Sequence, residues 1–216
     1  MKVCITGGLG YLGSVLTQKL IENGYNVSII DSKIYGNFLP VEVQEKINIC
    51  YEDIRRLDKG IKIIKNSDVL IHLAAIVGDP ACDLIKEAAV DINLNGTKNI
   101  IKLAEKYDKK LIYSSTCSVY GAQEKLITEK SKVLPLSIYA LSKYASENLL
   151  IESKLDFLIF RMGTLFGYSP RMRLDLVVNT FVVKALTERE ITVFGGEQWR
   201  PFLHICLLYT SDAADE

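Results

Sequence analysis

A tyrosine and a lysine stand four residues apart in the stretch Tyr139-Ala140-Leu141-Ser142-Lys143. On a helix this spacing places the phenol and the ammonium on the same face. The ammonium of Lys143 would favour the phenolate and so lower the pKa of the Tyr139 phenol. Tyr139 could then accept a proton from a hydroxyl and return it in the reverse step. The same spacing is common on solvated helix faces, so the pair alone leaves both interpretations open.

Hydroxyl groups follow the strand predicted at 110–113, in the stretch Ser114-Ser115-Thr116-Cys117-Ser118. Ligands of parallel α/β sheets bind at the carboxyl ends of the strands. Ser115 and Thr116 are therefore placed to hold a substrate oxygen near Tyr139. The competing interpretation is that they cap a helix or form a turn.

A glycine-rich turn joins the first predicted strand to the first predicted helix, in Thr6-Gly7-Gly8-Leu9-Gly10-Tyr11-Leu12-Gly13. Gly7 permits a tight turn, Gly10 lets the backbone approach a diphosphate, and Gly13 lets the helix pack close to the sheet. The free N–H groups and the positive dipole end of the helix favour bound phosphate. The turn predicts a dinucleotide site. Its spacing, Gly-x-x-Gly-x-x-Gly, differs from the usual Gly-x-Gly-x-x-Gly, and an ordinary strand–helix turn is the alternative.

Asp31 follows the second predicted strand, at 25–30, and lies a little over twenty residues after the glycine turn. A carboxylate in this place would accept hydrogen bonds from the adenosine ribose of a dinucleotide. It would also repel a 2′-phosphate, so NAD is favoured over NADP as the cofactor. The alternative is an aspartate that serves the turn alone.

Strands and helices alternate along most of the chain. Apolar runs predict six strands, at 2–6, 25–30, 46–50, 69–73, 110–113 and 156–160. Helical patterns occur at 11–23, 84–107, 137–152 and 171–186, and a last strand is predicted at 190–194. This alternation predicts an α/β fold, a Rossmann-type doubly wound parallel sheet, with the start of a small C-terminal substrate lobe.

The pattern also divides the chain into three parts. Residues 1–165 are predicted to form an NAD-binding Rossmann domain, and residues 166–205 part of a substrate-binding lobe. Residues 206–216, CLLYTSDAADE, break the preceding pattern and resemble a translated sequencing-library adapter. We therefore expect a non-native tail and a native chain that is longer.

Composition and charge argue against several classes of function. The 216 residues carry 26 basic and 26 acidic side chains, and this balance gives no support for binding nucleic acid or an anionic membrane. The five scattered cysteines and two histidines show no metal-ligand spacing, so we expect reduced thiols in a cytoplasmic protein without a bound metal. Met1-Lys2 leads directly into the first predicted strand, so we expect no secretory signal, and no apolar run is long enough to predict a membrane-spanning helix.

Six motifs occur in the order found in the extended short-chain dehydrogenase/reductases. Over residues 2–205 the chain resembles the NAD-dependent sugar-nucleotide epimerase/dehydratase branch of that family. The motifs are the glycine turn, Asp53-Ile54-Arg55, His72-Leu73-Ala74-Ala75, Asn93-Leu94-Asn95-Gly96-Thr97, Ser114-Ser115-Thr116 with Val119-Tyr120-Gly121, and Tyr139-x-x-x-Lys143.

This resemblance implies which residues bind NAD and which react. The implied cofactor residues are Gly7, Gly10, Tyr11, Leu12, Gly13, Asp31 on the ribose, Asp53 and Ile54 beside the adenine, Ala74 and Ala75, which leave room for the ligand, and Lys143 on the nicotinamide ribose. The implied catalytic set is Thr116, Tyr139 and Lys143. Tyr139 would remove the proton of a sugar hydroxyl as hydride passes to NAD, and Thr116 would share the hydrogen bond of that hydroxyl. Asn93 matches the structural asparagine of the family.

Three departures from the family pattern narrow the prediction. The 4,6-dehydratases have Thr-Asp-Glu where this chain has Thr116-Cys117-Ser118, so elimination of water lacks its acid and base. Thr164 stands where many members have asparagine, which leaves the substrate contacts of that loop open. The segment 199–205 resembles an Arg-x-Phe-x-His-Val motif, but the acidic residues that usually follow are replaced from Cys206 onward.

The first hypothesis for the function is therefore an NAD-dependent sugar-nucleotide epimerase, which oxidises a hydroxyl transiently and returns hydride to the other face. One alternative is an NAD-dependent reductase or dehydrogenase of a nucleotide sugar or another carbonyl substrate. A second is a non-catalytic NAD-binding module, which would need none of the three catalytic residues. By resemblance, helices 84–107 and 137–152 imply a homodimer. The sequence identifies neither the sugar nucleotide nor the carbon that reacts.

Overall fold

A parallel sheet forms the centre of the computed structural model, which describes residues 1–209. Its strands are β1 (Lys2–Thr6), β2 (Asn26–Asp31), β3 (Asn48–Tyr51), β4 (Val69–His72), β5 (Lys110–Thr116) and β6 (Phe157–Met162). They lie in the order β3-β2-β1-β4-β5-β6, and every adjacent pair is parallel. The direction of winding changes between β1 and β4. The predicted doubly wound Rossmann-type sheet is confirmed.

Helices connect the strands and follow the sheet. They are α1 (Tyr11–Glu22), α2 (Val41–Gln44), α3 (Lys59–Asn66), α4 (Asp79–Leu84), α5 (Lys86–Val90), α6 (Thr97–Lys106), α7 (Ile138–Ile151) and α8 (Val177–Thr187). A π-helix, Asp91–Gly96, joins α5 to α6, and 3₁₀ turns occupy Cys117–Tyr120 and Ile205–Tyr209.

The central strands β1 and β4 are buried on both faces of the sheet. On one face, Val3, Ile5 and Ile29 pack with residues of α1. On the other face, Cys4 and Ile30 pack with residues of α3, α6 and α7, namely Ile64, Ile100, Ile101, Ala104 and Leu150. Successive residues of a strand point to opposite faces. Because both faces are covered there, β1 and β4 are mostly apolar runs in the sequence, without polar alternation.

The helix predicted at 84–107 is interrupted in the structure. α4 ends at Leu84, and α5 passes into the π-helix before α6 begins. Within the π-helix, Asn93 accepts the N–H of Ile76 with Oδ1 (2.8 Å) and donates to the Ile76 carbonyl with Nδ2 (2.9 Å). Apolar periodicity predicts a helix, but it does not show the wider turn that brings Asn93 onto the Ile76 peptide.

The C-terminal part differs from the prediction in two places. α8 begins at Val177, not at 171, and several residues just before it line the cavity described below. The strand predicted at 190–194 is wrong, since these residues are exposed and form no ladder. Instead, β7 (Thr164–Phe166) pairs in parallel with β8 (Phe202–His204). A β-branched run forms a strand only where a neighbouring strand completes its hydrogen bonds.

The three-part division of the chain stays a prediction. Residues 166–209 contain α8, β8 and a 3₁₀ turn, and the two-stranded sheet crosses the predicted boundary because β7 begins at Thr164. Of the predicted tail at 206–216, residues 210–216 lie outside the described residues.

Candidate active site

A cavity of about 520 Å³ lies at the edge of the sheet where the parallel strands end. Its walls include residues at or directly after the ends of β1, β2, β4, β5 and β6. This is where doubly wound sheets bind ligands, and the volume suits a small molecule. The structure brings all thirteen predicted site residues to this cavity, namely Gly7, Gly10, Tyr11, Leu12, Gly13, Asp31, Asp53, Ile54, Ala74, Ala75, Thr116, Tyr139 and Lys143.

The glycine turn fits its place only without side chains. Gly7 has φ +76°, and a Cβ on it would lie 2.6 Å from the backbone nitrogen of Ala74. A Cβ on Gly13 would lie 2.3 Å from the carbonyl oxygen of Gly7. Gly10 is the N-cap of α1 and provides no side-chain cap. The first N–H groups of α1 therefore remain available at the cavity, an arrangement that suits a diphosphate.

Asp31 lies beside this turn, at the end of β2. Its Oδ2 accepts the N–H of Leu9 (3.1 Å), and its Oδ1 accepts the N–H of Lys33 (2.7 Å). Burial raises the pKa of Asp31, and the two backbone hydrogen bonds lower it. Each carboxylate oxygen keeps a further lone pair, so Asp31 can accept hydrogen bonds from a ligand in the cavity.

Asp53 and Ile54 form part of the wall near Asp31. The Asp53 carboxylate is paired with Arg55, with Oδ2 2.6 Å from Nη2, and this partner lowers the pKa of Asp53. The Ile54 side chain is buried in the apolar core, and its carbonyl accepts a hydrogen bond from Asn99. Asp53 and Ile54 can therefore contact a ligand mainly through their backbone atoms and through the exposed side of the Asp53 carboxylate.

Tyr11 contributes to the cavity wall through the first turn of α1, but its phenol is engaged elsewhere. The hydroxyl donates to the carbonyl of Gly167 (2.6 Å) and accepts a hydrogen bond from Nδ2 of Asn179 (3.2 Å). The side chain of Tyr11 thus ties the glycine turn to the C-terminal part of the chain, a role that the sequence did not indicate.

Tyr139 and Lys143 lie on one face of α7, as their spacing predicted. Ser137 caps this helix, since its hydroxyl accepts the N–H of Ala140 (3.1 Å). Tyr139 is only 8% exposed and Lys143 only 3%, so the solvated-face interpretation is wrong. Thr116, at the end of β5, accepts the N–H of Ser118 (3.1 Å), and its hydroxyl lies close enough to the Tyr139 phenol to lower the pKa of that phenol.

Burial is the largest cause of the pKa shifts of Tyr139 and Lys143. It raises the pKa of Tyr139, and the nearby Thr116 hydroxyl and the charge of Arg173 oppose this rise only in part. Burial also lowers the pKa of Lys143 to about 8. The expected lowering of the Tyr139 pKa by Lys143 is therefore wrong in its net direction.

The position of the Lys143 ammonium explains why it has little effect on the phenol. Its Nζ donates to the carbonyl of Ser114 (2.7 Å) and lies 4.7 Å from the centroid of the Tyr113 ring. Both contacts direct the charge toward β5. The carbonyl and the aromatic face stabilise the buried ammonium where water is excluded.

Ser115 takes a different role from the one predicted. Its hydroxyl donates to the fully buried Glu147 carboxylate instead of facing a substrate. Glu147 also forms a two-oxygen ion pair with Arg161, and Arg161 donates to the Tyr120 hydroxyl (2.8 Å). This network joins β5, α7, β6 and the 3₁₀ turn directly behind Thr116 and Lys143. Glu147 follows Lys143 by four residues, so helical spacing could have indicated that it faces the same side.

A second buried hydrogen-bond network connects β1 and β4 to the π-helix. Thr97 donates to the carbonyl of Asn93 (2.6 Å), so its oxygen accepts from Nε2 of His72 (2.9 Å). Nδ1 of His72 then accepts from the hydroxyl of Thr6 (2.5 Å). Burial lowers the pKa of His72 to about 3, which keeps the ring neutral. Asn93 additionally donates to Ser142 (3.2 Å), next to Lys143.

The described residues contain neither a metal-binding cluster nor a membrane-spanning helix. In the part of the chain that the structure describes, no three His, Cys, Asp or Glu side chains are grouped so as to hold a metal ion. Among residues 1–209, no helix has the length and apolar character needed to cross a membrane.

Comparison with protein families gives one match across nearly the whole chain. The model of the NAD dependent epimerase/dehydratase family matches residues 3–206. A protein of Methanocaldococcus jannaschii provisionally named UDP-glucose 4-epimerase is 33% identical, with 94% of this chain and 69% of the relative covered. The UDP-N-acetyl-alpha-D-glucosaminuronate decarboxylase of Bacillus cytotoxicus is 32% identical, with 98% of this chain and 68% of the relative covered.

The solved structures agree with these sequence relatives. The UDP-glucuronic acid 4-epimerase of Bacillus cereus, in complex with UDP-glucuronic acid and NAD, superposes with a TM-score of 0.85 at 30% identity. The match covers 96% of this chain and 70% of the B. cereus chain.

Proposed function

Because the chain belongs to the NAD-dependent epimerase/dehydratase family, we propose that it is an NAD-dependent sugar-nucleotide epimerase of the extended short-chain dehydrogenase/reductase type. The observation that carries this proposal is the grouping of Thr116, Tyr139 and Lys143, all nearly buried, at a cavity that also contains the glycine turn. A module that only binds a cofactor has no need for a buried lysine beside a buried phenol.

The half of the cavity that contains the glycine turn and Asp31, here called the glycine half, has residues that fit NAD. The uncapped start of α1 would hold the diphosphate, and Asp31 would accept hydrogen bonds from the adenosine ribose. The wall would be completed by the remaining predicted residues, Gly7, Gly10, Tyr11, Leu12, Gly13, Asp53, Ile54, Ala74 and Ala75, with Lys143 at the nicotinamide ribose. The chemistry that NAD would supply when bound is reversible acceptance of a hydride from the carbinol carbon of the substrate, together with a positive ring charge.

The chain itself would move the proton. Tyr139 would take the proton of a sugar hydroxyl and hold it while the sugar is a ketone. It would then return the proton to the new alcohol. The Thr116 oxygen already accepts the Ser118 N–H, so the hydroxyl of Thr116 is free to donate toward the phenol oxygen. Lys143, protonated below its pKa of about 8, adds a cation one turn away. Thr116 and the charge of Arg173 oppose in part the effect of burial on the pKa of Tyr139, and the positive ring charge of bound NAD would act in the same direction.

The residues beside Thr116 support epimerisation over dehydration. Cys117 and Ser118 occupy the places where the 4,6-dehydratases have an acid pair. Burial raises the pKa of the Cys117 thiol, so it is a poor proton donor and a poor base at neutral pH. These two positions therefore do not supply the acid and base with which the 4,6-dehydratases would expel water from the sugar.

A product analysis tests the proposal. The chain is incubated with NAD and a panel of UDP-, dTDP- and GDP-sugars, the product is followed by proton NMR, and NADH is followed by absorbance. We expect a new epimeric sugar spectrum without accumulation of NADH, and no reaction in Tyr139→Phe. Accumulated NADH with a keto or acid product would indicate a dehydrogenase, and loss of the sugar carboxyl group as CO₂ a decarboxylase.

We also propose a nucleotide sugar as the substrate, a homodimer and a cytoplasmic location. Relatives that act on UDP-sugars support the substrate. Exposed apolar side chains on α4 and α7, Leu84 and Leu141, support association through the helices named by the family resemblance. Five free cysteines support a reducing compartment. Light scattering during gel filtration tests the dimer, and Leu141→Glu should shift it toward the monomer.

A further inference from the structure

Residues 167–175, here called the strap, run along the cavity from the glycine turn toward the loop after β2. Their first residues are bound to α1. Gly167 accepts the hydrogen bond of the Tyr11 phenol, and the fully buried Ser169 donates to the Tyr11 carbonyl (2.7 Å). Asn179 of α8 accepts the N–H of Gly167 (3.0 Å). The start of the strap is therefore fixed on the phosphate side of the cavity.

The middle of the strap reaches the opposite side of the groove. The guanidinium of Arg171 lies 4.2 Å from the centroid of the Tyr35 ring. Tyr35 is four residues beyond Asp31, in the loop after β2, and both Tyr35 and Arg171 line the cavity. The contact between them thus spans the groove from the strap to the ribose side.

No carboxylate among residues 1–209 lies within ion-pair distance of Arg171. Its charge acts on Asp175, but that carboxylate is already paired with Arg173, two residues after Arg171. A guanidinium that lines a cavity without an anionic partner is suited to a diphosphate. The start of α1 offers N–H groups to the same kind of ligand in the same cavity.

We propose that Arg171 and Tyr35 form a clasp that holds the strap over the dinucleotide and retains NAD between turnovers. This inference rests on the proposed function, in which NAD ends each cycle as it began and does not need to leave. A nucleotide sugar also carries a diphosphate, but Tyr35 stands on the Asp31 side of the groove. The clasp is therefore assigned to the cofactor.

Dissociation of NAD measures the clasp directly. The full chain is loaded with radiolabelled NAD, chased with excess unlabelled NAD, and sampled on filters. Tyr35→Leu should speed dissociation about two- to fivefold, the range expected for one exposed cation–π contact. Arg171→Ala should have at least that effect, and the double variant should be no faster than Arg171→Ala, because both substitutions remove one contact. Tyr35→Phe keeps the ring and should dissociate at the original rate.

A second cation–π pair, between Lys33 of the same loop and Tyr51 of β3, provides the matched control. Lys33 lies over the ring of Tyr51, 5.0 Å from its centroid, and neither residue lines the cavity. Lys33→Ala should leave NAD dissociation unchanged. An equal acceleration in Lys33→Ala would show that loop order, and not the clasp, sets the rate, and would overturn the proposal.

UDP binding separates the two diphosphates. If Arg171→Ala weakens UDP binding while NAD dissociates at the original rate, the assignment to the cofactor is wrong. The clasp and the proposed function can also fail separately. A chain whose NAD dissociation responds as expected but which epimerises no sugar contradicts the function alone. If the chain is an active epimerase but the Arg171 and Tyr35 substitutions leave NAD dissociation unchanged, only the clasp is contradicted.

Discussion

The glycine turn and the catalytic face of α7 line the same cavity but are built by different means. The glycine half offers backbone N–H groups and needs the absence of side chains, since a Cβ on Gly13 would meet the Gly7 carbonyl at 2.3 Å. The catalytic half needs particular side chains, and partners from other elements hold them in place. Binding on one side thus depends on local backbone shape, and chemistry on the other depends on long-range packing.

The two halves also differ in what they bury. The catalytic half places Lys143 and Glu147 almost entirely out of water, at 3% and 0% exposure. Burial of charge destabilises a fold unless hydrogen bonds and ion pairs compensate. Glu147 is compensated by Arg161 and Ser115, whereas Lys143 has one carbonyl and one aromatic ring. We therefore expect substitutions on this side to separate activity from stability, and those on the glycine side to change binding.

Tyr139→Phe should have the largest effect and should confine it to chemistry. Loss of the phenol oxygen removes the group that exchanges the proton, so turnover should fall by about 10³–10⁴-fold. NAD affinity, measured by quenching of protein fluorescence, should stay within about twofold of the original. Tyr144→Phe, on the same helix but away from the cavity, is the control and should keep its activity. Turnover that survives in Tyr139→Phe would remove this residue from the mechanism.

Glu147→Ala should have the next largest effect, on stability. The substitution leaves Arg161 without its buried partner, so the free energy of unfolding should fall by about 3–5 kcal/mol. Glu22→Ala provides the comparison, because it removes an exposed ion pair with Lys19 of the same length, 2.6 Å. That change should cost less than about 1 kcal/mol in urea unfolding. Equal losses in the two variants would mean that the buried network adds nothing.

Lys143→Met should lower turnover and raise stability. The pKa of Lys143 is depressed from 10.5 to about 8 in the folded chain. At pH 7 the folded protein therefore carries a buried charge at a cost. That cost is relieved as pH rises from about 8 toward 10.5, where the unfolded chain binds the extra proton. At pH 7 the free energy of unfolding of Lys143→Met should be roughly 1–3 kcal/mol higher than that of the original protein.

The gain of Lys143→Met should shrink through the same pH window. Thermal and urea unfolding at pH 7 and pH 10 measure it, with Lys154→Met as an exposed control. A variant that is less stable than the original at pH 7 would show that the Ser114 hydrogen bond and the Tyr113 ring fully compensate the buried charge.

Sequence reasoning was most successful where function depends on local backbone. The glycine turn, Asp31 and the six parallel strands are contained in short segments with their own signals, and the structure brings the predicted residues to one cavity. Tyr139 and Lys143 could also be placed together, because helical spacing is local. The direction of the Tyr139 pKa shift could not be predicted in this way, because it depends on how deeply the fold buries this side chain of α7.

The features that the sequence did not predict depend on distant contacts. Ser115 was expected at the substrate, but Glu147 on another element accepts its hydrogen bond. The π-helix forms where Asn93 meets the Ile76 peptide. The residues at 190–194 have a strand composition, but no strand lies beside them in the structure. Pairing partners of this kind are set by the fold and leave no signal in a short segment.

Asp31→Asn should have the smallest effect of these substitutions, and the effect should be on cofactor binding in the glycine half. The neutral amide loses a charged hydrogen-bond acceptor worth about 1.5 kcal/mol, so NAD should bind about tenfold more weakly. NADP affinity should fall less or rise, because the charge that repels a 2′-phosphate is gone. Asp68→Asn is the matched control, since Asp68 accepts the N–H of Lys2 at the opposite end of β1. If both variants bind NAD and NADP alike, Asp31 serves the turn alone, through its hydrogen bonds to Leu9 and Lys33.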